Sequence, residues 1–383
     1  MLTQYLFEIT QYQIFDSRLF RAGLAAILAT MLVFLIMPGY IAFLKKNGAT
    51  SDFKENSPPI MGGLLLVIIV VIVSFLTAII NGYSIAALAI LVMYSTIGAI
   101  DDIAKIRKKR LVDTGKISKK DYEEKADGIS STTRLFLYLL FSFAIACLCY
   151  KLIPDLTGHL YVPFVNYNYW HPYLPYWLFI PFITFVVASS ANGTNFTDGI
   201  DSLASVPIIT GMFFVGSVAY VSGNAIFSDY LHIPYLKGCD ELFPIAMASI
   251  GALLAYLWYN SPPAEIYMGD AGSIGFGALL GIMFILVQAA LFLPLVGVII
   301  LVEALSVVLQ IGHFKINKRF KGLEYADKNR LFLRAPLHHH FQLKWKGRFG
   351  DSKPLVNAKI AWRMHLISFF ALILGFIVFF GLR

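Results

Sequence analysis

The sequence predicts an all-α polytopic integral membrane protein with about ten transmembrane helices and both termini periplasmic. Three observations carry that expectation: charge too scarce for a water-soluble surface, apolar runs of spanning length, and Lys and Arg gathered into alternate connecting segments. Over 383 residues, 58% are hydrophobic and only 14% are charged. Soluble proteins run near 45–50% and 25%, so the excess apolar surface here needs lipid as its solvent. The same balance excludes a disordered chain, a collagen and a disulfide scaffold.

A spanning helix takes about 20 mainly apolar residues. Such runs lie at about 19–43, 60–82, 84–100, 134–153, 174–190, 202–222, 243–259, 274–289, 293–312 and 361–382. The eighth and ninth form one apolar stretch, expected to divide at the Leu293-Pro294 step because Pro restricts the residue before it. Ten spans put the loops near 43–59, 101–133, 191–201, 260–273 and 313–360 on one side. The stretches 43–56, 101–134 and 313–360 hold 3, 10 and 12 of the 31 Lys and Arg. The positive-inside bias makes that side cytoplasmic. Opposite, the loops around 154–173 and 223–242 hold only Lys237 as a basic residue and are rich in Tyr, Trp and Pro. Anionic headgroups account for the basic loops, so no nucleic-acid partner is expected. Residues 1–18 carry no cleavage pattern, and the first apolar helix is read as the insertion signal. Cys147 and Cys149 fall in the fourth span and Cys239 alone outside, so no structural disulfide is expected.

Only 23 acidic residues exist, and several sit at helix mouths on the basic side. Asp101 and Asp102 stand in GAIDDIAK, Asp198 and Asp201 in NGTNFTDGIDSLAS, and Asp270 in NSPPAEIYMGDAGSIGFG. Singly, each reads as a helix cap or a turn. Together at one depth they would repel unless a cation or proton compensates. A hard divalent cation is the natural compensator, since Mg²⁺ takes one or two carboxylates plus phosphate and water oxygens. Lys54, Lys105, Lys109, Arg134 and Arg334 suit a multiply anionic substrate. Carboxylates, Mg²⁺ and cations together point to phosphoryl chemistry, with a soluble nucleotide from the cytoplasm and an acceptor from the bilayer.

His338, His339 and His340 stand in a row in RAPLHHHFQ. Neighbouring positions do not share a helix face, so hydrogen bonds to phosphate or sugar fit better than a zinc site. Glu303 and Gln310, seven apart on the ninth span, do share a face. A buried acid is costly in lipid, so Glu303 is expected to face protein or a groove.

With these segments assembled, the chain resembles the polyprenyl-phosphate N-acetylhexosamine-1-phosphate transferase family, and its PP-x-MGG opening and His run resemble the peptidoglycan branch. The likeness runs from about residue 15 to the C-terminus. It rests on SPPIMGG, GAIDDIAK, NGTNFTDGIDSLA, NSPPAEIYMGDAGS, VEALSVVLQ and RAPLHHHF, in that order. It implies one transmembrane transferase domain over 1–383. Such a domain moves phospho-MurNAc-pentapeptide from UDP-MurNAc-pentapeptide to undecaprenyl phosphate, forms lipid I and releases UMP. The likeness also implies a Mg²⁺ requirement, a homodimer and a bacterial inner-membrane location with a cytoplasmic active site.

Carried over by position, Asp101, Asp102 and Lys105 match the family's DDxxK motif. Asn192, Asn195, Asp198 and Asp201 match the polar positions of NxxNxTDGxDGLA, with Ser202 at its second glycine. Asn260 and Asp270 match an asparagine and the metal-binding aspartate, and Tyr267 stands where a Phe usually lies beside uracil. On this reading Asp101 is the acid-base group or a nucleophile, Asp102 positions lysine or substrate, and Asp270 binds Mg²⁺. Lys105, Lys109 and Arg134 clamp phosphate, with Lys54 on the same substrate. Asn192, Asn195, Asp198, Asp201, Asn260 and Tyr267 serve the nucleotide or its support, and His338, His339 and His340 contact the donor's sugar-phosphate. A phosphate monoester is largely a dianion near neutral pH, which favours direct attack over a covalent aspartyl-phosphate.

Four departures stand out: the first half of SPPIMGG, insertions near 111–127 and 321–330, Arg134 in place of a family Lys, and WRMH at 362–365. A related transferase of other UDP-N-acetylhexosamines is the nearest rival reading. A secondary transporter is remote, because its acids belong near the membrane midplane.

Overall fold

The computed structural model describes residues 2–50, 57–115, 128–154, 156–167, 169–349 and 352–381. After a short α1 (Leu2–Thr10), all ten apolar runs are helical. They are α2 (Arg18–Lys46), α3 (Gly62–Thr77), α4 (Gly82–Asp113), α5 (Ser131–Leu152), α6 (Tyr176–Thr197) and α7 (Ser205–Ser222). Following α8 (Ala225–Leu231) come α9 (Leu242–Asn260), α10 (Asp270–Leu286), a single turn α11 (Leu293–Val296) and α12 (Val298–Lys321). Two short helices in the long basic loop, α13 (Leu323–Lys328) and α14 (Leu337–Lys344), precede α15 (Lys353–Gly381). Among the described residues, eight helices are long and apolar enough to cross a bilayer, and α3 and α10 are the two shorter apolar ones.

The 17 residues of α10 are all buried. This helix packs against α3, α4 and α6, while α9 lies between α2 and α7. Close approach is obtained with small residues, as is usual between helices in lipid. A Cβ on Gly63 of α3 would come within 2.2 Å of Gly272 Cα on α10. At about 1.5 Å per residue α10 is about 25 Å long, short of the about 30 Å hydrocarbon core, so its ends are recessed. Outward faces carry exposed Phe34 and Leu35 on α2 and Phe370 and Ile377 on α15, side chains that belong in lipid.

At the end away from the basic loops, Arg21 forms a bidentate pair with Glu241 at 2.6 Å and 2.6 Å and donates to Thr77 O at 3.1 Å. Glu241 also accepts the Ile79 N–H at 2.7 Å, and Arg18 pairs with Asp240. Arg18 and Arg21 are thus each paired with a carboxylate within the fold. All three cysteines are free.

Two expectations about element limits change. The chain breaks after α10 at Val287–Ala289 and again at Gly297, not at Leu293-Pro294. Pro294 sits in the first turn of α11, a position where its missing N–H costs nothing. The segment from 101 is not a loop at its start, because α4 runs on to Asp113 and carries Asp101, Lys105 and Lys109 one turn apart on one face. Of the two insertions, 116–127 lies outside the described residues, as does Lys54. The second forms α13, tied locally by Lys328–Glu324 and Arg330–Asp327 pairs.

Candidate active site

The recessed start of α10 opens a polar cavity of about 380 Å³ on the basic side. Asp102 and Lys105 reach it from α4, Asp198 and Asp201 from the turn after α6, and Asn260, Tyr267 and Asp270 from the link between α9 and α10. Arg334, His339 and Gln342 enter from the long basic loop, Lys353 and Asn357 from the start of α15, and Ile60 from the segment before α3. That last segment is held by main-chain bonds: Tyr267 N–H to Pro59 O, and Gly62 N–H to Tyr267 O, both 2.9 Å.

Asp270 is the hub. Lys105 Nζ stands 3.0 Å from its Oδ2 and 2.8 Å from Asp101 Oδ2. Arg134 Nη1 lies 3.2 Å from Asp270 Oδ2 and 4.0 Å from Asp101 Oδ2. Asn195 Nδ2 donates to Asp270 Oδ1 at 3.0 Å and to Ser273 Oγ at 3.1 Å. Asp101 is fully buried; its Oδ1 accepts the Ile129 N–H at 2.7 Å and its Oδ2 is held by ion pairs alone. Asp102 points elsewhere, with its two oxygens accepting the backbone N–H groups of Asp270 and Ala271. Gly269 lets it approach: its φ is +76°, and a Cβ there would come within 2.6 Å of Asp102 Oδ2.

Asp198 has a partly accessible edge, yet burial first, and then the carboxylates of Asp270, Asp102 and Asp201, hold it well above the usual carboxylate range. Burial also raises Asp201, whose Oδ2 accepts the Ala264 N–H at 3.2 Å. Burial pushes the His339 imidazole down.

A second, apolar opening meets this site from the side. A groove of about 430 Å³ is lined by Arg134, Leu135, Tyr138, Leu139, Phe185, Ser189, Asn192 and Asn195. A further space of about 550 Å³ shares Phe185 and Ser189 and continues along α6 to Pro294, Gly297 and Val308. The path thus runs between spanning helices up to the two side chains, Arg134 and Asn195, that hold Asp270.

Residues 84–288, more than half of the chain, match the model of "Glycosyl transferase family 4". A phospho-N-acetylmuramoyl-pentapeptide-transferase of Nitratiruptor sp. is 34% identical over 375 residues, covering 95% of this chain and 96% of the relative. Relatives of the same name from Campylobacter lari (34% identical, 97% of this chain and 98% of the relative) and Nautilia profundicola (36%, 89% and 92%) agree. The chain belongs to the phospho-N-acetylmuramoyl-pentapeptide-transferase family.

Against the positions that family likeness assigned, the structure brings Asp102, Lys105, Asp198, Asp201, Asn260, Tyr267, Asp270 and His339 to one cavity, with Asp101 behind it. Asn260 is doubly engaged there, accepting the Ser202 N–H at 2.8 Å and donating to Ile266 O at 2.9 Å. Asn192 faces the apolar groove instead, and Lys109 lies a turn beyond Lys105 and does not line the cavity.

The three histidines part company. His338 is fully buried: its N–H donates to Glu303 at 3.1 Å and its Nδ1 lies 3.1 Å from Glu303 Oε2. Its Nε2 is buried without a partner, against Gly199. His340 Nδ1 accepts the Leu333 N–H at 3.2 Å. Glu303 therefore faces protein, and Gln310, bonded to Phe332 N–H and O, holds the same basic loop. Arg363, in the divergent WRMH, stacks over Trp345 at 4.6 Å. Ile60, Ser273, Gln342, Lys353 and Asn357 are site residues that sequence reasoning passes over. The only signal for the last two is their spacing of one turn in a basic helix start.

Proposed function

We propose that this chain transfers phospho-MurNAc-pentapeptide from UDP-MurNAc-pentapeptide to undecaprenyl phosphate, giving lipid I and UMP for peptidoglycan, on the cytoplasmic face of a bacterial inner membrane. One observation carries the reading. Asp270 faces the polar cavity, while Arg134 and Asn195, which bind its carboxylate, line the apolar groove. A water-soluble donor and a lipid-borne acceptor meet there.

The donor set suits Mg²⁺. Lys105 already bridges Asp101 and Asp270, but Asp198, Asp201 and Asp270 line one cavity where their mutual repulsion raises Asp198, an arrangement that a further cation relieves. Among the described residues no three His, Cys, Asp or Glu converge as a closed metal cage. Mg²⁺ needs none, since substrate phosphates and waters complete its shell. Asp270, with Asp101 beside it, would hold the ion, which supplies neutralising charge to the donor pyrophosphate.

The chain's own residues do the rest. Lys105 and Arg134 meet phosphate charge, and the Tyr267 ring, 37% exposed at the cavity, offers a stacking face to the base. An oxygen of the acceptor phosphate attacks the donor's β-phosphorus, and the bond to UMP breaks with its electron pair leaving on UMP. Asp101 takes the acid-base role, and the acceptor's dianionic charge makes a covalent aspartyl intermediate unnecessary. The family likeness also supports a homodimer, read by light scattering in detergent.

The test is UMP release from purified full-length protein with undecaprenyl phosphate and Mg²⁺. Turnover with UDP-MurNAc-pentapeptide, none with UDP-GlcNAc, and loss on chelation are expected. Preference for UDP-GlcNAc would overturn the donor assignment, and full activity after chelation would remove the metal.

A further inference from the structure

Helix α12 has two lined faces. Ile300, Leu301, Ala304, Leu305 and Val308 line the acceptor groove with α6. At 3.6 residues per turn, Val298, Ile299, Val302 and Glu303 project from the opposite side. There they wall a separate crevice of about 300 Å³, closed by Leu337 and Phe341 of α14, by Trp345 just after it, and by Ile360, Arg363, Met364 and Ile367 of α15. Apart from Glu303 and Arg363 its lining is carbon or ring. Val302 and Ile367 are exposed at its mouth, so it opens outward between two spanning helices, where lipid lies.

The two charged residues are not equivalent. Glu303 spends both oxygens on His338. Arg363 is exposed, and its guanidinium lies over the Trp345 ring at 4.6 Å and within 5.7 Å of Phe349. Stacking occupies the face of a guanidinium and leaves its N–H donors at the edge, in the planar fork that matches phosphate. No carboxylate pairs with it among the described residues. Trp362, 66% exposed beside it, marks the membrane interface on the Lys- and Arg-rich side.

We propose that this crevice binds an anionic phospholipid, one acyl chain in the cavity and its phosphate on the edge of Arg363. An apolar slot with one stacked, unpaired Arg at a membrane interface fits that chemistry at both ends. The site is distinct from the acceptor's groove, which lies across α12, so both lipids are held at once. Its inner wall, Glu303 and Leu337, is the ground on which His338 rests.

Binding is measured without substrate, so its failure leaves the transfer reading untouched. Full-length protein in neutral detergent is titrated with phosphatidylglycerol and phosphatidylcholine, and retained lipid is counted by native mass spectrometry. Wild type is expected to favour the first bound phosphatidylglycerol by about fivefold, the weight of one Lys or Arg at an anionic surface. Arg363→Gln is expected to equalise the two lipids. Val302→Trp fills the crevice from α12 and abolishes the first bound lipid; Ile367→Trp does so from an exposed position on α15, guarding against a folding defect in the first variant. Equal retention of both lipids by wild type would overturn the proposal. So would an unchanged preference in Arg363→Gln, or unchanged binding in both tryptophan variants.

Discussion

Asp102 accepts the backbone N–H of Asp270 at 3.1 Å, and its other oxygen accepts that of Ala271 at 3.1 Å. The second aspartate of the pair therefore caps, from another helix, the element that presents Asp270. A carboxylate at a helix N-terminus meets both unpaired N–H groups and the positive end of the helix dipole. Asp101, buried behind the cavity, instead holds Lys105, whose ammonium reaches the Asp270 carboxylate. Asp102 is a positioning residue.

Asp102→Asn tests that division. The amide keeps one acceptor but turns an N–H donor toward another donor, a loss of about 1–3 kcal/mol for a buried group. We expect a folded protein whose UMP release falls about 10- to 100-fold. The Mg²⁺ concentration for half-maximal rate should rise, because Asp270 loses its register. A Mg²⁺ titration checks this; an unchanged Mg²⁺ response with the same loss of rate would return Asp102 to direct contact with substrate.

Arg134 touches Asp270 and lines the groove, so its removal should be felt through the lipid substrate. Arg134→Ala is expected to reduce transfer about a hundredfold and Arg134→Lys about tenfold, since Lys restores charge without the planar fork. Initial rates against undecaprenyl phosphate at saturating donor should show KM for the lipid rising. A KM change confined to the nucleotide donor would contradict the placement.

Glu303→Ala strips both acceptors from a buried N–H and leaves the His338 ring unpaired, at a cost of about 3 kcal/mol. Glu303→Gln keeps an acceptor and should retain most of that stability. Thermal unfolding in detergent, compared for the two variants, reads the difference. Equal midpoints for Ala and wild type would mean that His338 does not depend on this carboxylate.

Asp198 sets a pH dependence. Its folded-state pKa is raised, so the folded chain binds this proton more tightly than the unfolded chain does. Its contribution to stability is full below the ordinary carboxylate range, about pH 4, and is lost as pH rises through the folded value. Asp198→Asn abolishes that loss. Without Mg²⁺ or donor, the thermal midpoint of wild type should fall relative to Asp198→Asn as pH rises from about 4. Parallel curves would show that the carboxylate is not strained by its neighbours.

The spans are legible in the sequence because apolar runs near twenty residues have few solutions in lipid. Their limits are less so. Pro294 reads as a boundary, yet Pro is equally at home in a first turn, and hydropathy starts the last span at 361 although α15 begins at Lys353. That early start brings Lys353 and Asn357 to the cavity. The acids stand out because charge is rare, which is why Asp101, Asp198 and Asp270 are readable without coordinates. The direction of a side chain is not readable at a helix end. Asn192 and Asn195 lie three apart and both line the groove, yet only Asn195 reaches Asp270. His338 and His339 are adjacent, and about 100° of rotation sends one to Glu303 and the other to the cavity.

The shortness of α10 bears on the fate of the acceptor's tail. A prenyl chain drawn into water loses about 0.8 kcal/mol for each CH₂ exposed. Two more turns at its start would carry Asp270 about 11 Å further toward the aqueous layer, and the acceptor would have to climb to it. Because the helix stops short of the core's thickness, the carboxylate stays within reach of a lipid-borne phosphate and the polar donor descends instead. The hydrocarbon anchor stays immersed throughout the transfer.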